Sequence, residues 1–149
     1  YKPAKLQLRC CIENFLKSQV MINEPAIIHE KSVYAVFDAA KNDSHFHTLI
    51  GQACIDSLHN DYSTLCRTVH GDPKIMKPVS ALSMLPQYNQ VSHQEISSIY
   101  IRTVEQCLGV LYLNFPIVVD QMHPDNKKDF LDCLSKTTKG NVVNTLYGL

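Results

Sequence analysis

"HFHTLIGQACIDSLHNDYSTLCRTVH", residues 45–70, gathers four of the chain's seven histidines and two of its six cysteines into one stretch. Three readings compete: a metal site, a catalytic Cys/His centre, and the ordinary face of a helical hairpin. Geometry decides among them. Successive residues of a helix turn by about 100° and rise by about 1.5 Å, so His45 and His47 point about 160° apart and cannot share a metal. His45 and His59 are nearly aligned but about 21 Å apart along the axis. Phe46, Leu49, Ile50, Ala53 and Ser57 make one stripe at helical spacing, which favours a helix over a strand. Asp43 or Ser44 is the expected cap of this helix, which should run to about His59. Asn60-Asp61-Tyr62 reads as a turn, followed by a shorter helix carrying Leu65 and Val69.

One ligand set is compatible with such a hairpin. Cys66 and His70 are four apart, the spacing at which two side chains of a helix converge on zinc. A turn centred near Asn60 brings Cys54 opposite Cys66 and His47 near His70. Cys54, Cys66, His70 and His47 are therefore the candidate metal ligands. No C-x2-C knuckle accompanies them, and packed thiols with a histidine rim explain the stretch equally well, so no cofactor is expected.

Outward from the hairpin, helical periodicity recurs. Residues 4–19 place Leu8, Cys11, Ile12, Phe15 and Leu16 on one stripe. Asn23 or Glu24 before Pro25 marks the start of a second helix, since proline suits a first turn. Its apolar set of Ile27, Ile28, Val33, Tyr34 and Phe37 predicts burial from more than one side. Ser92-His93-Gln94-Glu95 matches the capping box and opens a long helix to about Phe115, with Ile96, Ile99, Tyr100, Thr103, Val104, Cys107, Leu108 and Leu111 inward. Pro116 should end or kink it. A further amphipathic helix over 124–140 has Phe130, Leu131 and Leu134 inward and Gly140 as its stop. Residues 141–149 read as a short helix. The expected core is Phe15, Phe37, Ile50, Leu58, Val104, Leu108, Leu111 and Phe130.

Residues 71–91 differ in kind. Prolines at 73, 78 and 86 forbid a long helix, yet the segment is apolar. It reads as a strap between two helical halves of one domain spanning 1–149. Met76, Met84, Leu85 and Tyr88 are its candidate partner-binding residues, because methionine and aromatic side chains are favoured at adaptable interfaces.

The fold class that follows is all-α. The order of helix pairs loosely resembles a short armadillo- or HEAT-type α-solenoid fragment of antiparallel pairs, without the consensus motif of either repeat, and an irregular helical bundle fits the same pattern.

Composition narrows function further. Of 149 residues, 45% are hydrophobic and 19% charged, which describes a folded globular chain. Lysine plus arginine equals aspartate plus glutamate at 14 each, without the basic surplus of a nucleic-acid module. The longest apolar run, 107–119, is too short for a membrane span and contains Asn114 and Pro116. Five glycines form no phosphate-cradling loop, and no cysteine sits at an expected helix start where a nucleophile is activated. Six cysteines in apolar helical patterns read as free buried thiols of a reducing, intracellular compartment. The start at Tyr1 without methionine reads as an excised fragment.

The function expected from these features is a non-catalytic helical protein–protein interaction or scaffold domain that binds a partner's peptide or helix. The alternatives are a zinc-stabilised or nucleic-acid-associated helical module, and a homodimerisation domain, since zero net charge does little to oppose self-association.

Overall fold

Among the described residues, 2–69 and 88–148 of the computed structural model, 84% are helical and none is in a strand. The chain is all-α, as periodicity predicts. Met76, Met84, Leu85 and His70, with most of the expected strap, lie outside the described residues.

Helix α1 (Lys2–Val20) buries Leu8, Ile12, Leu16 and Val20, one residue per turn with a slow drift. A 3-10 turn over Pro25–His29 follows, and α2 (Val33–Asn42) is a separate helix. The single second helix expected from the sequence is thus broken at Glu30–Ser32. Lys17 Nζ donates to the Glu30 carbonyl at 2.7 Å, and the Ser32 hydroxyl caps α2 by accepting from the Ala35 amide. A side-chain anchor and a cap together outcompete continued helix at this point. Burial from more than one side also fails, since Ile28 and Tyr34 are 52% and 78% exposed.

The larger correction concerns the opening stretch. After a 3-10 turn at Ser44–Phe46, capped by Asp43, α3 runs unbroken from Leu49 to Val69. Asn60-Asp61-Tyr62 is no turn. The Asp61 carboxylate, 2% exposed, accepts from Arg102 through Nε at 3.0–3.1 Å and again through the second guanidinium nitrogen. Tyr62 is packed against Phe37. Tertiary partners for two of its three residues hold this segment helical despite its turn-forming composition. Gly51 is required here for another reason: a Cβ at this position would lie 2.9 Å from the Phe46 carbonyl oxygen.

Helix α4 (Gln90–Asn114) starts one turn before the expected capping box. Asn89, itself a strong cap, accepts from the Ser92 amide at 2.8 Å, which frees Glu95 to bind Lys5 of α1 at 2.9 Å. Pro116 ends α4 as predicted and begins α5 (Pro116–Asp120). The expected helix over 124–140 is two helices, α6 (Pro124–Asp132) and α7 (Lys136–Tyr147), divided where the Ser135 hydroxyl accepts from the Thr138 amide. Gly140 lies inside α7, and the left-handed stop is Gly148 at φ 67°.

Contacts between chain-distant residues orient the long helices. Lys5 meets Glu95 and Gln19 meets Asn114, so α1 and α4 run parallel. Asp61 meets Arg102, while Cys54 approaches Gly109, so α3 runs antiparallel to α4. Ile12, Leu16, Val36, Phe46, Ile55, Leu58 and Leu65 are fully enclosed between these helices. Each such side chain contributes about 1.5–3 kcal/mol relative to leaving it in water. A second, smaller cluster of Tyr112, Val119, Leu134 and Val142 joins α4 to α5, α6 and α7. Of the core expected from sequence, Phe37 and Leu58 are buried, whereas Phe15, Ile50, Val104, Leu108, Leu111 and Phe130 are half-buried, and Phe15, Ile50, Leu108 and Phe130 of these pack against the two clusters.

Candidate functional site

The continuous α3 separates the residues proposed as metal ligands. Cys54 and Cys66 are twelve positions apart on one helix, about 18 Å along its axis. His47 lies outside that helix, its Nε2 3.2 Å from the Asn42 carbonyl oxygen. Among the described residues no group of three or more His, Cys, Asp or Glu side chains is arranged to hold a metal ion. All six cysteines are free, but Cys10, Cys11 and Cys133 are exposed, against the expectation that the thiols are buried. Burial pushes the thiols of Cys54 and Cys107 up to about 12, so at neutral pH both are protonated and poor nucleophiles.

What the helices do assemble is a surface groove. Ala4 and Leu8 of α1 face Ile96, Ser97, Tyr100 and Ile101 of α4 across a depression of about 460 Å³. The inward face expected of α4 includes Tyr100, yet Tyr100 is 58% exposed and Ile101 64%. Ile99 and Thr103, also expected inward, are buried. The parallel pairing explains the groove. Small Ala4 on α1 leaves room beside the larger residues of α4, and the Lys5–Glu95 ion pair holds the two helices together beside it.

Tyr88, the one expected partner-binding residue within the described segments, does not line the groove but lies just before the start of α4. It is 73% exposed, and its ring lies 5.6 Å from that of His93. His93, Ser97, Tyr100 and Val104 follow one another at helical spacing, so Tyr88 extends the same face of α4 toward its N-terminus. None of the described lining residues of the groove is charged. Sequence reasoning placed Tyr100 inward because an exposed apolar stripe and a core-facing one have the same periodicity, and it left Ile101 out of the inward set.

A polar cluster closes the other end of the molecule. Asp120 accepts from Lys127 Nζ at 2.8 Å and from the Tyr147 hydroxyl, with the Tyr112 hydroxyl at 3.4 Å. The bonds from Lys127 and Tyr147 lower the Asp120 pKa, and the same contact raises that of Tyr147. Every group of the cluster is thereby engaged with another. No helix among the described residues is long and apolar enough to cross a membrane.

Compared with models of known protein families, with curated proteins and with solved structures, the chain matches none.

Proposed function

We propose that this chain is a non-catalytic protein–protein interaction module that receives a helix of a partner in the groove between α1 and α4. The observation that carries this reading is the exposure of Tyr100 and Ile101 side by side above a concave, uncharged floor. Large apolar side chains grouped on a monomer's surface are a signature of association, and aromatic residues dominate the energetics of such contacts. A channel between two parallel helices is the shape into which a third helix packs, ridge into groove. We read the arrangement of the helices as an irregular bundle, because α1, α3 and α4 contact one another mutually, whereas solenoid repeats touch only their neighbours. The absence of charge among the described lining residues is also compatible with a second copy of the chain as the occupant.

The test is a double substitution, Tyr100→Ser with Ile101→Ser, on the full chain. Both side chains are exposed, so thermal stability should change by less than about 1 kcal/mol. Quantitative co-purification should show partners lost from the variant but retained by a control at the still more exposed Leu49, Leu49→Ser. Retention of every partner by the double variant would exclude the groove. Sedimentation of wild type and variant reads self-association in the same samples.

A further inference from the structure

A second concavity lies away from that groove, between the first turn of α2 and the C-terminal half of α3, and measures about 580 Å³. Its volume falls in the range of small-molecule sites, roughly 300–1,000 Å³. The floor is aromatic. Phe37 lies 4.6 Å from the His59 ring and 5.7 Å from the Tyr62 ring, both measured between centroids. Burial of Tyr62, reinforced by the Cys66 thiol beside it, pushes the phenol up to about 12, so this ring stays neutral. Val33 and Tyr34 form the apolar wall on α2.

The charge of the pocket is one-sided. Arg67 lines it on α3 and has no carboxylate partner among the described residues. Arg9 of α1 places its guanidinium 5.4 Å from the Tyr62 centroid and adds a second positive charge behind the floor. No aspartate or glutamate is among the described lining residues, and Ser63 offers a hydroxyl next to Arg67. The nearby Glu30 carboxylate is turned to the Ser32 amide at 2.6 Å, so the α2 end is already occupied by a negative group. An anion is therefore favoured at the α3 end, with its apolar portion directed toward α2.

We infer that this pocket binds a small organic anion, its negative group at Arg67 and Ser63 and its aromatic or branched apolar body against Val33, Tyr34 and Phe37. Cationic ligands are disfavoured by both arginines, although the ring cluster alone would suit them. The inference is independent of the groove between α1 and α4 and stands or falls separately.

The probe is 8-anilinonaphthalene-1-sulfonate, with N-phenyl-1-naphthylamine as the same body without the charge. One equivalent of the sulfonate should bind the full chain saturably, about threefold to fivefold more tightly than the neutral compound, as expected for a partly exposed charge contact. Arg67→Gln, at an exposed position, should reduce sulfonate affinity to that of the neutral probe and leave the latter unchanged. The half-buried Cys66 provides the location. Saturating sulfonate should slow its alkylation by iodoacetamide while the exposed Cys133 reacts as before, read by peptide mass spectrometry. Equal affinity for the two probes, indifference to Arg67→Gln, or an unprotected Cys66 would each overturn the assignment. Loss of sulfonate binding in the Tyr100→Ser, Ile101→Ser variant would also overturn it by placing the probe in the other groove.

Discussion

The two apolar clusters hold their helices by different means. Around α1, α2 and α3, aliphatic and aromatic side chains are enclosed completely, and Leu16, Val36, Phe46, Ile55 and Leu58 retain no exposure. Around α5, α6 and α7 the cluster is thinner: α6 buries no residue at all, and Phe130 and Leu131 are only half-covered. Polar clasps supplement it. The Glu105 carboxylate of α4 accepts from the Ser135 amide at 3.1 Å and from the Thr138 hydroxyl, fastening the start of α7, while Asp120 gathers Lys127 and Tyr147. Enclosed apolar area is insensitive to pH, whereas carboxylate clasps are not. The first region should therefore carry most of the stability, while acid should loosen the Glu105 and Asp120 clasps of the second as well as the Asp61–Arg102 pair of the first.

Truncation is the strongest way to break this comparison. Leu58→Ala, at a fully enclosed position, should cost about 3–5 kcal/mol. Leu108→Ala, in the half-buried surround of the second cluster, should cost only about 1–2 kcal/mol, because neighbours can relax and the removed atoms were partly in water. Denaturant titration of both variants decides it, and equal losses would remove the distinction.

A smaller effect comes from acid. Desolvation opposes ionisation of Glu105, but the bonds from Ser135 and Thr138 outweigh it and hold the carboxyl below its ordinary value of 4.5. A carboxyl depressed in the folded state contributes stability above its unfolded pKa and loses it as pH falls through the folded one. Thermal melts from pH 6 downward should thus show wild type losing more stability below about pH 4.5 than Glu105→Gln, which should be about 1 kcal/mol less stable at neutral pH. A parallel pH dependence in the two proteins would show that the clasp contributes nothing.

Glycine substitutions sharpen the contrast at the smallest scale. Nothing lies within 4 Å of a Cβ placed at Gly140, in the interior of α7, so Gly140→Ala should stabilise by about 0.5–1 kcal/mol. At Gly51 the same change meets backbone atoms of Phe46 and should destabilise despite the gain in helix propensity. Opposite shifts in melting temperature are expected, and shifts of the same sign would contradict the packing described at one of the two sites.

Much of this was legible in the chain itself. The stripe of Leu8, Ile12 and Leu16, the stop at Pro116 and the absence of alternating patterns define an all-α protein, because helix period and proline geometry are local properties. The candidate site was legible only in part: Tyr88 was readable as an exposed aromatic, but Tyr100 was assigned inward and Ile101 was not singled out for either face. Helix breaks were misplaced for a similar reason. Asn60-Asp61-Tyr62 has turn-forming side chains, and only Arg102, 41 positions away, explains why the helix continues through them. Ser92 and Glu95 satisfy the capping-box pattern, but Asn89 takes the cap and Lys5, 90 positions away, takes the glutamate. The sequence by itself determined which segments are helical, since that depends on neighbours a few residues apart. Only the tertiary structure decided where α3 does not break, which apolar face of α4 meets solvent and which cysteines stay apart. Those outcomes rest on contacts between distant residues, whose energies of a few kcal/mol exceed the local preferences they override.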